Sequence, residues 1–312
     1  MNQQLDMGLD AISERLVSGP LAIGGVGGSG TRVLFELFRS AGFDMGRTNQ
    51  AGDNLLFSLI FKRPRWLKNA DDERMEGALN LFEKLSTRSG LARLSDWALL
   101  APAIWERTFH RYNFNQSLTN KFSLFRPFVF ASTRTAIPKL RPVAKTKWGW
   151  KEPNTHLILD SLARYFCGLR YIHVMRNGLD MAFSGNQNQV RIWGDRFSVS
   201  IPENLADLPG ASLAYWVKAN RRAIAVGSDT LGDRFMVIRF EELCAEPEVI
   251  VPSMIRFAGV DPSTVDLNEL IHLPRTPKSV GRYREHNLSI FDPADLQAVA
   301  DLGYPIRVEE DA

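Results

Sequence analysis

A glycine-rich turn near the start of the chain has the residue types and spacing that could bind an anion. The apolar run Leu21–Ile23 predicts a short strand, and the apolar spacing over 31–40 predicts an amphipathic helix. Glycines between these elements let backbone N–H groups point at one ligand, and the first helical turn adds unpaired donors. The hydroxyl groups of Ser29 and Thr31 and the positive charge of Arg32 complete the set of donors. The predicted anion-binding residues are Gly27, Gly28, Ser29, Gly30, Thr31 and Arg32.

The glycine turn differs from the two common nucleotide-binding loops. A Walker loop would require a lysine after the last glycine, but Gly30 is followed by Thr31 and Arg32. Gly25, Gly27 and Gly30 have the dinucleotide-binding spacing, but no strand ends in an acidic residue about 20 positions later. Hydride transfer is therefore disfavoured. A plainer interpretation stays open, in which the turn only packs a helix against a sheet.

Basic residues also follow two other predicted strands. Pro153 biases the residue before it to an extended conformation, which puts Lys151 at a strand end. The run 169–175 predicts a buried strand, which Arg176 follows directly, with Ser184 on the next predicted helix. Ligand-binding groups of α/β proteins lie at such strand ends, and an arginine fork and a serine could converge on one phosphate. The alternative for Lys151 is a surface lysine.

A basic loop near the end of the chain, residues 276–284, adds a further candidate. Its members Ser279, Gly281 and Arg282 combine a hydroxyl, a flexible backbone and a cation. Arg282 could therefore hold one more phosphate oxygen.

The alternation of strands and helices predicts an α/β fold with a mostly parallel sheet. We expect residues 1–312 to form a single domain with a helical, aromatic-rich insertion at about 53–140, since 45% of the chain is hydrophobic. The stretch 107–151 contains ten Lys and Arg residues and no Asp or Glu. It is either a positive face that attracts anionic ligands or a solvated face beside acidic neighbours. No nucleic-acid recognition motif accompanies it.

Composition limits the class of protein further. A formal net charge of +3 gives no reason to expect general affinity for nucleic acid or membranes. Only Cys167 and Cys244 are present, which argues against a disulfide scaffold or a metal cluster. Residues 1–18 lack the basic start and apolar core of a signal peptide, and no apolar run reaches transmembrane length. We therefore expect a soluble, cytoplasmic protein.

Four segments, in this order along the chain, resemble those of the sulfotransferase family that uses 3′-phosphoadenosine 5′-phosphosulfate as donor. Gly27–Arg32 resembles the 5′-phosphosulfate loop of that family, and Lys151–Pro153 resembles its Lys-x-Pro segment. Tyr171–Ser184 is similar to its strand, loop and helix for the 3′-phosphate. Arg239–Leu243 is similar to its Arg-Tyr-Glu-Asp-Leu segment. The resemblance covers nearly the whole chain.

The resemblance implies a three-layer, P-loop-like α/β fold and a sulfuryl transfer from that donor to a hydroxyl or amine, with adenosine 3′,5′-bisphosphate as product and no metal. It implies that the glycine turn holds the 5′-phosphosulfate and that Lys151 stabilises the leaving oxygen. Arg176, Ser184 and Arg282 would hold the 3′-phosphate. We expect Asp53, in the polar loop after the first helix, to act as general base. Its alternative is to cap the helix predicted over 54–61.

One position departs from the family pattern. Many members carry a lysine or arginine where this chain has Gly28, and that cation helps to neutralise the transferring group. Lys151 and Arg32 are expected to supply the charge instead. A second hypothesis is a nucleotide- or anion-binding protein of the same fold without catalysis, and a third, less favoured, is a P-loop kinase. The basic, aromatic stretch suggests a glycan or another alcohol as acceptor, and no pattern predicts an oligomeric state.

Overall fold

The computed structural model describes residues 19–87, 94–114 and 147–306. Its strands and longer helices are β1 (Leu21–Gly25), α1 (Thr31–Ser40), α2 (Leu55–Phe61), α3 (Pro64–Asn69), α4 (Asp72–Ser86), α5 (Leu94–Phe114), β2 (Gly149–Lys151), α6 (Leu159–Tyr165), β3 (Arg170–Met175), α7 (Gly178–Ala182), α8 (Asn188–Trp193), α9 (Leu208–Leu231), β4 (Phe235–Arg239), α10 (Phe240–Ala245), α11 (Pro247–Phe257), α12 (Leu267–Ile271) and α13 (Pro293–Asp301). Short 3₁₀ turns connect several of them, including one at Pro153–Ile158.

The four strands form one sheet in the order β2-β1-β3-β4. β3 and β4 are parallel, and their register runs from Tyr171 opposite Phe235 to Met175 opposite Arg239. The inner strand β1 is buried along its whole length, as expected of a strand inside a parallel sheet that helices cover, and the edge strand β2 is buried as well. The predicted α/β fold with a central parallel sheet is confirmed.

The chain divides into two compact units, and β1 and β3 each contribute residues to both. Of the described residues, unit 1 contains 19–22, 42–87, 94–114, 147–152 and 160–170. Unit 2 contains 23–41, 153–159 and 171–306. The single domain expected from the sequence stays a prediction.

Unit 1 has an aromatic core that surrounds β2. The rings of Trp150 and Phe82 meet edge to face with centroids 5.0 Å apart, and those of Phe57 and Phe61 lie 4.8 Å apart. Phe166 packs on Trp150 at 5.9 Å. Because such rings bury large areas and constrain one another's orientation, they fix the short strand that ends at Lys151.

Helices α2 to α5 lie within the stretch where the sequence predicts a helical insertion. The parts of that stretch at 88–93 and 115–140 lie outside the described residues. The predicted positive face also lies outside them, apart from Lys147 and Lys151, because no side chain is described over 107–146.

The core of unit 2 forms around β3 and the long helix α9. The side chains of β3 from Tyr171 to Met175 are buried, and Trp216 on α9 is only 1% exposed. α7 begins at Gly178, where a Cβ atom would lie 2.7 Å from the ring of Trp216. The close approach that glycine permits therefore holds α7 against α9, which fixes the segment after Arg176.

No helix in the described ranges combines the length and apolar composition needed to cross a bilayer.

Candidate functional site

The glycine turn of unit 2 has the backbone geometry of an anion-binding loop. Gly25 and Gly30 have φ values of +151° and +93°, in the region that favours glycine. A Cβ atom at Gly25 would lie 2.2 Å from the carbonyl oxygen of Val174, and one at Gly30 would lie 2.3 Å from the ring of Phe240. α1 begins directly after this turn at Thr31 without a side-chain cap. The N–H groups of Thr31 and Arg32 therefore have no intrahelical partners, whereas that of Val33 donates to the carbonyl of Gly30 at 3.1 Å.

The predicted residues of this turn differ in where their side chains lie. Ser29 is buried, and its Oγ atom has no hydrogen-bond partner among the described residues. Its N–H group is engaged, because it donates to the carbonyl of Val26 at 3.1 Å. Thr31 is buried as well, whereas Arg32 is exposed. The sequence predicts that Arg32 supplies a positive charge at the loop, but its side chain does not line the cavity of unit 2.

A cavity in unit 2 brings five of the predicted residues together. The predicted residues in its lining are Gly27, Gly28, Arg176, Ser184 and Arg282. Backbone from the glycine turn thus faces the same space as two arginines that the chain supplies from distant segments.

Arg176, which directly follows β3, is one of the two arginines that line this cavity. Its Nη2 atom donates to the Oγ atom of Ser279 at 2.7 Å, and its guanidinium lies 5.9 Å from the ring centroid of Phe240. Its Nε atom is buried and has no hydrogen-bond partner in the described part of the chain. Buried donors are nearly always paired, so this nitrogen is a ready donor to a bound anion.

A carboxylate beside Arg176 holds the start of α7. The N–H group of Asn177 donates to Oε1 of Glu241 at 2.9 Å. Burial raises the pKa of Glu241, although the charge of Arg176 partly opposes this effect. The Asn177 side chain accepts from the N–H group of Leu179 at 2.9 Å and so caps α7.

Asp180 attaches the basic loop near the end of the chain to the cavity wall. Its Oδ2 atom accepts the N–H group of Gly281 at 2.8 Å, and its Oδ1 atom accepts that of Tyr283 at 3.2 Å. The Nε atom of Arg282 donates to the carbonyl of Ser279 at 3.2 Å. The buried carboxylate is therefore satisfied by backbone donors, and it positions the loop that carries Arg282 and Ser279.

The sequence reasoning missed the amide side chains of the cavity. Gln187 donates from Nε2 to the carbonyls of Ala182 and Ser184, at 2.6 and 2.7 Å, and Gln189 lines the cavity beside the glycine turn. Trp216 and Asp180 also line it. The signal that could have found the two glutamines is the polar run that follows the β3 strand and α7, where a parallel sheet places its ligands.

In unit 1 the structure brings Lys151 and Asp53 together, as two candidates from separate motifs. The Lys151 side chain is 2% exposed, and its Nζ atom donates to Oδ1 of Asp53 at 2.5 Å and to the carbonyl of Ala51 at 2.8 Å. Asn49 donates to the other oxygen of Asp53 at 3.1 Å. The lysine is thus a buried group at the end of β2 whose ammonium contacts the polar loop, and not the surface residue of the alternative interpretation.

The ionisation of Asp53 reflects this pairing. Burial would raise its pKa, but the charge of Lys151 and the hydrogen bond from it lower the value further, and the net shift is downwards from 3.8. Asp53 is therefore a carboxylate at neutral pH. It does not cap α2, because Asn54 is the N-cap and accepts the N–H group of Phe57 at 2.9 Å.

A second ion pair lies beside the first. The Nζ atom of Lys62 is 3.4 Å from Oε1 of Glu152, whose side chain is fully buried. Lys62 also contributes to the lowered pKa of Asp53. The two lysines and two carboxylates thus balance one another, and their positions are mutually fixed.

No group of three or more His, Cys, Asp or Glu side chains within the described ranges is arranged to hold a metal ion.

A sequence model of the Sulfotransferase family matches residues 20–264 of the chain. Comparison with curated protein sequences finds no match. Solved structures do match. The sulfotransferase domain from the Synechococcus PCC 7002 olefin synthase is 15% identical, with a TM-score of 0.46, over 93% of this chain and 97% of that one. Sulfotransferase STF9 from Mycobacterium avium is 15% identical, with a TM-score of 0.45, over 96% and 80%. The sulfotransferase domain from the curacin biosynthetic pathway is 16% identical, with a TM-score of 0.46, over 93% and 99%.

Proposed function

The chain belongs to the sulfotransferase family, and from that premise we propose that it transfers a sulfuryl group from 3′-phosphoadenosine 5′-phosphosulfate to a hydroxyl or amine. The observation that carries the proposal is the cavity of unit 2. Its lining combines the backbone of Gly27 and Gly28 with the side chains of Arg176, Ser184 and Arg282. The donor has two separate anionic ends, and this lining offers two kinds of anion-binding group.

The glycine turn is the group suited to the 5′-phosphosulfate. Its donors are backbone N–H groups at the start of α1, where the helix dipole also favours negative charge. The buried hydroxyl of Ser29 lacks a partner among the described residues and adds a donor below the loop. Positive φ at Gly28 and Gly30 directs these groups inward without a side chain in the way.

The two arginines are the groups suited to the 3′-phosphate. Arg176 offers its unpaired Nε atom, and Ser279 fixes the orientation of its fork. Arg282 lies in the loop that is held by hydrogen bonds to Asp180. Ser184 lies on the segment whose carbonyl groups accept hydrogen bonds from Gln187. Planar guanidinium groups bind phosphate through two parallel hydrogen bonds, so this set is preorganised for a phosphate dianion.

Lys151 and Asp53 are the residues that we assign to the chemical step. During an in-line displacement the acceptor oxygen or nitrogen bonds to sulfur while the bond from sulfur to the bridging oxygen breaks. The bisphosphate leaves with that electron pair, and the acceptor proton passes to a base. A buried, oriented ammonium such as Lys151 stabilises the charge that develops on the bridging oxygen. Asp53 is ionised and 18% exposed, so it can accept the proton.

One observation favours a second candidate function. Gly28 leaves the loop without the cation that many relatives carry, which fits a protein that binds the nucleotide but does not transfer the group. A kinase is less compatible, because the loop also lacks the lysine that would reach the β- and γ-phosphates. We favour the transferase, with a glycan or other alcohol as acceptor and without a metal requirement.

Transfer of radiolabelled sulfate from the donor to a panel of glycans, phenols, steroids and amines tests this function. We expect labelled product from at least one acceptor class, at a rate that a chelator leaves unchanged. Tight binding of the bisphosphate with no product across the panel would instead support the non-catalytic alternative. Magnesium-dependent binding of ATP in preference to the bisphosphate would support the kinase.

A further inference from the structure

The glycine turn, residues 25–32, presents no cationic side chain to the cavity that its backbone lines. Gly28 is exposed and has a φ of +100°, so any larger residue there would adopt a strained backbone. A Cβ atom would meet only Met181 at 3.5 Å, and steric exclusion is therefore not the reason for glycine. Arg32 is exposed and does not line the cavity. The turn therefore offers an anion backbone donors and hydroxyl groups but no side-chain charge.

The side chain of Gln189, on α8, packs directly on the turn. A Cβ atom at Gly27 would lie 2.4 Å from its Nε2 atom, 2.7 Å from Cδ and 2.9 Å from Cγ. The side chain of Gln189 therefore contacts the backbone of Gly27 along the length of its amide group. Gln189 lines the cavity together with Gly27 and Gly28. Its Oε1 atom is buried without a hydrogen-bond partner among the described residues, so no donor there fixes the amide through its oxygen.

We propose that Gln189, which contacts Gly27 and lines the same cavity, donates its side-chain N–H to the sulfuryl group of the bound donor. The inference rests on the proposed function and names a specificity residue for the same cavity. The glycine turn supplies backbone N–H donors to one side of the phosphosulfate. The amide of Gln189, which belongs to α8, packs against the same turn. A neutral donor aimed at a charged oxygen forms a charge-assisted hydrogen bond, which is stronger than one between neutral groups.

The experiment compares two ligands that differ only in the sulfuryl group. Adenosine 3′,5′-bisphosphate and 3′-phosphoadenosine 5′-phosphosulfate are titrated calorimetrically, without acceptor, into wild type, Gln189→Ala and Asn188→Ala. Asn188 precedes Gln189 on α8 and does not line the cavity, which makes it a matched control. We expect Gln189→Ala to weaken binding of the phosphosulfate about tenfold and that of the bisphosphate less than about twofold. Asn188→Ala should change neither affinity.

Three results would overturn the inference. Unchanged phosphosulfate affinity in Gln189→Ala would show that the amide makes no contact with the sulfuryl group. An equal loss for both ligands would place Gln189 on the shared nucleotide. If wild type bound neither ligand, the proposed function itself would fail, and this inference with it.

Gln189→Lys is a second variant, which tests the same proposal if Gln189→Ala does not fold. Lysine keeps the length of the side chain and supplies the cation, so the preference for the phosphosulfate over the bisphosphate should equal or exceed that of wild type. A preference lower than that of wild type would contradict the proposal.

Discussion

The Nζ atom of Lys151 lies 2.5 Å from Oδ1 of Asp53, with the lysine 2% exposed and the aspartate 18% exposed. These two residues come from motifs about a hundred positions apart, and each compensates the charge of the other. Removal of one partner from a buried pair leaves the other charge uncompensated. We therefore expect the two residues to act as a unit in both stability and catalysis.

A double-mutant cycle on this pair tests that expectation in the free energy of unfolding. Lys151→Met should destabilise the protein by about 3 kcal/mol, because the Asp53 carboxylate is left half-buried and unpaired. The double variant Lys151→Met with Asp53→Asn should lose less than the sum of the single losses, by about 1–3 kcal/mol. Urea unfolding, monitored by circular dichroism, measures the free energy of unfolding of wild type and of each variant. Additive losses would show that the ion pair contributes nothing.

Lys151→Ala tests the catalytic role of the lysine. We expect turnover to fall at least about 100-fold, since a preorganised group at the developing charge is lost. Affinity for the bisphosphate should stay within about threefold, because that ligand is expected to bind to groups of unit 2. Lys147→Ala, an exposed lysine four positions earlier, is the control and should match wild type. Comparable losses of turnover and affinity would contradict the assigned role.

Asp180→Ala tests the anchoring of the basic loop. Loss of the acceptors for Gly281 and Tyr283 should speed amide hydrogen exchange at both residues and weaken bisphosphate binding about tenfold, although Asp180 itself repels phosphate. Asp195→Ala, at an exposed aspartate, should change neither quantity. Unaltered exchange at Gly281 and Tyr283 would show that other contacts hold the loop.

The free energy of unfolding should fall as the pH is lowered through the range in which an ordinary histidine titrates. His173 is fully buried between Tyr171 and Asn220, at 3.2 and 2.8 Å, and burial lowers its pKa from 6.5 to about 4. Burial also lowers the pKa of His156 well below 6.5. Below about pH 6.5 the unfolded chain binds protons that the folded protein excludes. The stabilisation is therefore complete above that pH and declines towards pH 4.

The expected loss from His173 is about 3 kcal/mol once the pH is below its folded pKa. Urea midpoints between pH 7.5 and 4.5 measure the decline, and His173→Gln should flatten it while lowering stability at pH 7.5. A wild-type midpoint that stays constant down to pH 4.5 would contradict the assignment.

Local patterns were enough to predict many of the strands and helices and to select the charged candidates for the site. The strand, glycine turn and helix at 21–40 follow from apolar spacing and glycine content, and the structure has them at those positions. Arg176 and Lys151 are candidates because ligands of parallel sheets bind at the carboxyl ends of the strands. The exposure of Arg32 is also explicable, since it lies on the helix face opposite Leu34.

The rest of the site depends on contacts that sequence spacing does not encode. Asp180 meets Gly281 across about a hundred residues, and Gln189 reaches Gly27 across more than 160. Glutamine and aspartate in a polar run have the same local signature whether they face solvent or a ligand. The role of Asp53 was ambiguous for the same reason, because Asn54 next to it is an equally good cap and the structure uses Asn54.

Calorimetric titration of adenosine 3′,5′-bisphosphate, beside ATP with magnesium, tests the central claim most directly. Wild type, Arg176→Ala and Arg191→Ala are compared, because Arg191 is an exposed arginine outside the cavity lining. We predict micromolar binding of the bisphosphate by wild type and Arg191→Ala, at least tenfold weaker binding by Arg176→Ala, and no preference for ATP. Absence of bisphosphate binding, or a preference for ATP with magnesium, would contradict the donor assignment.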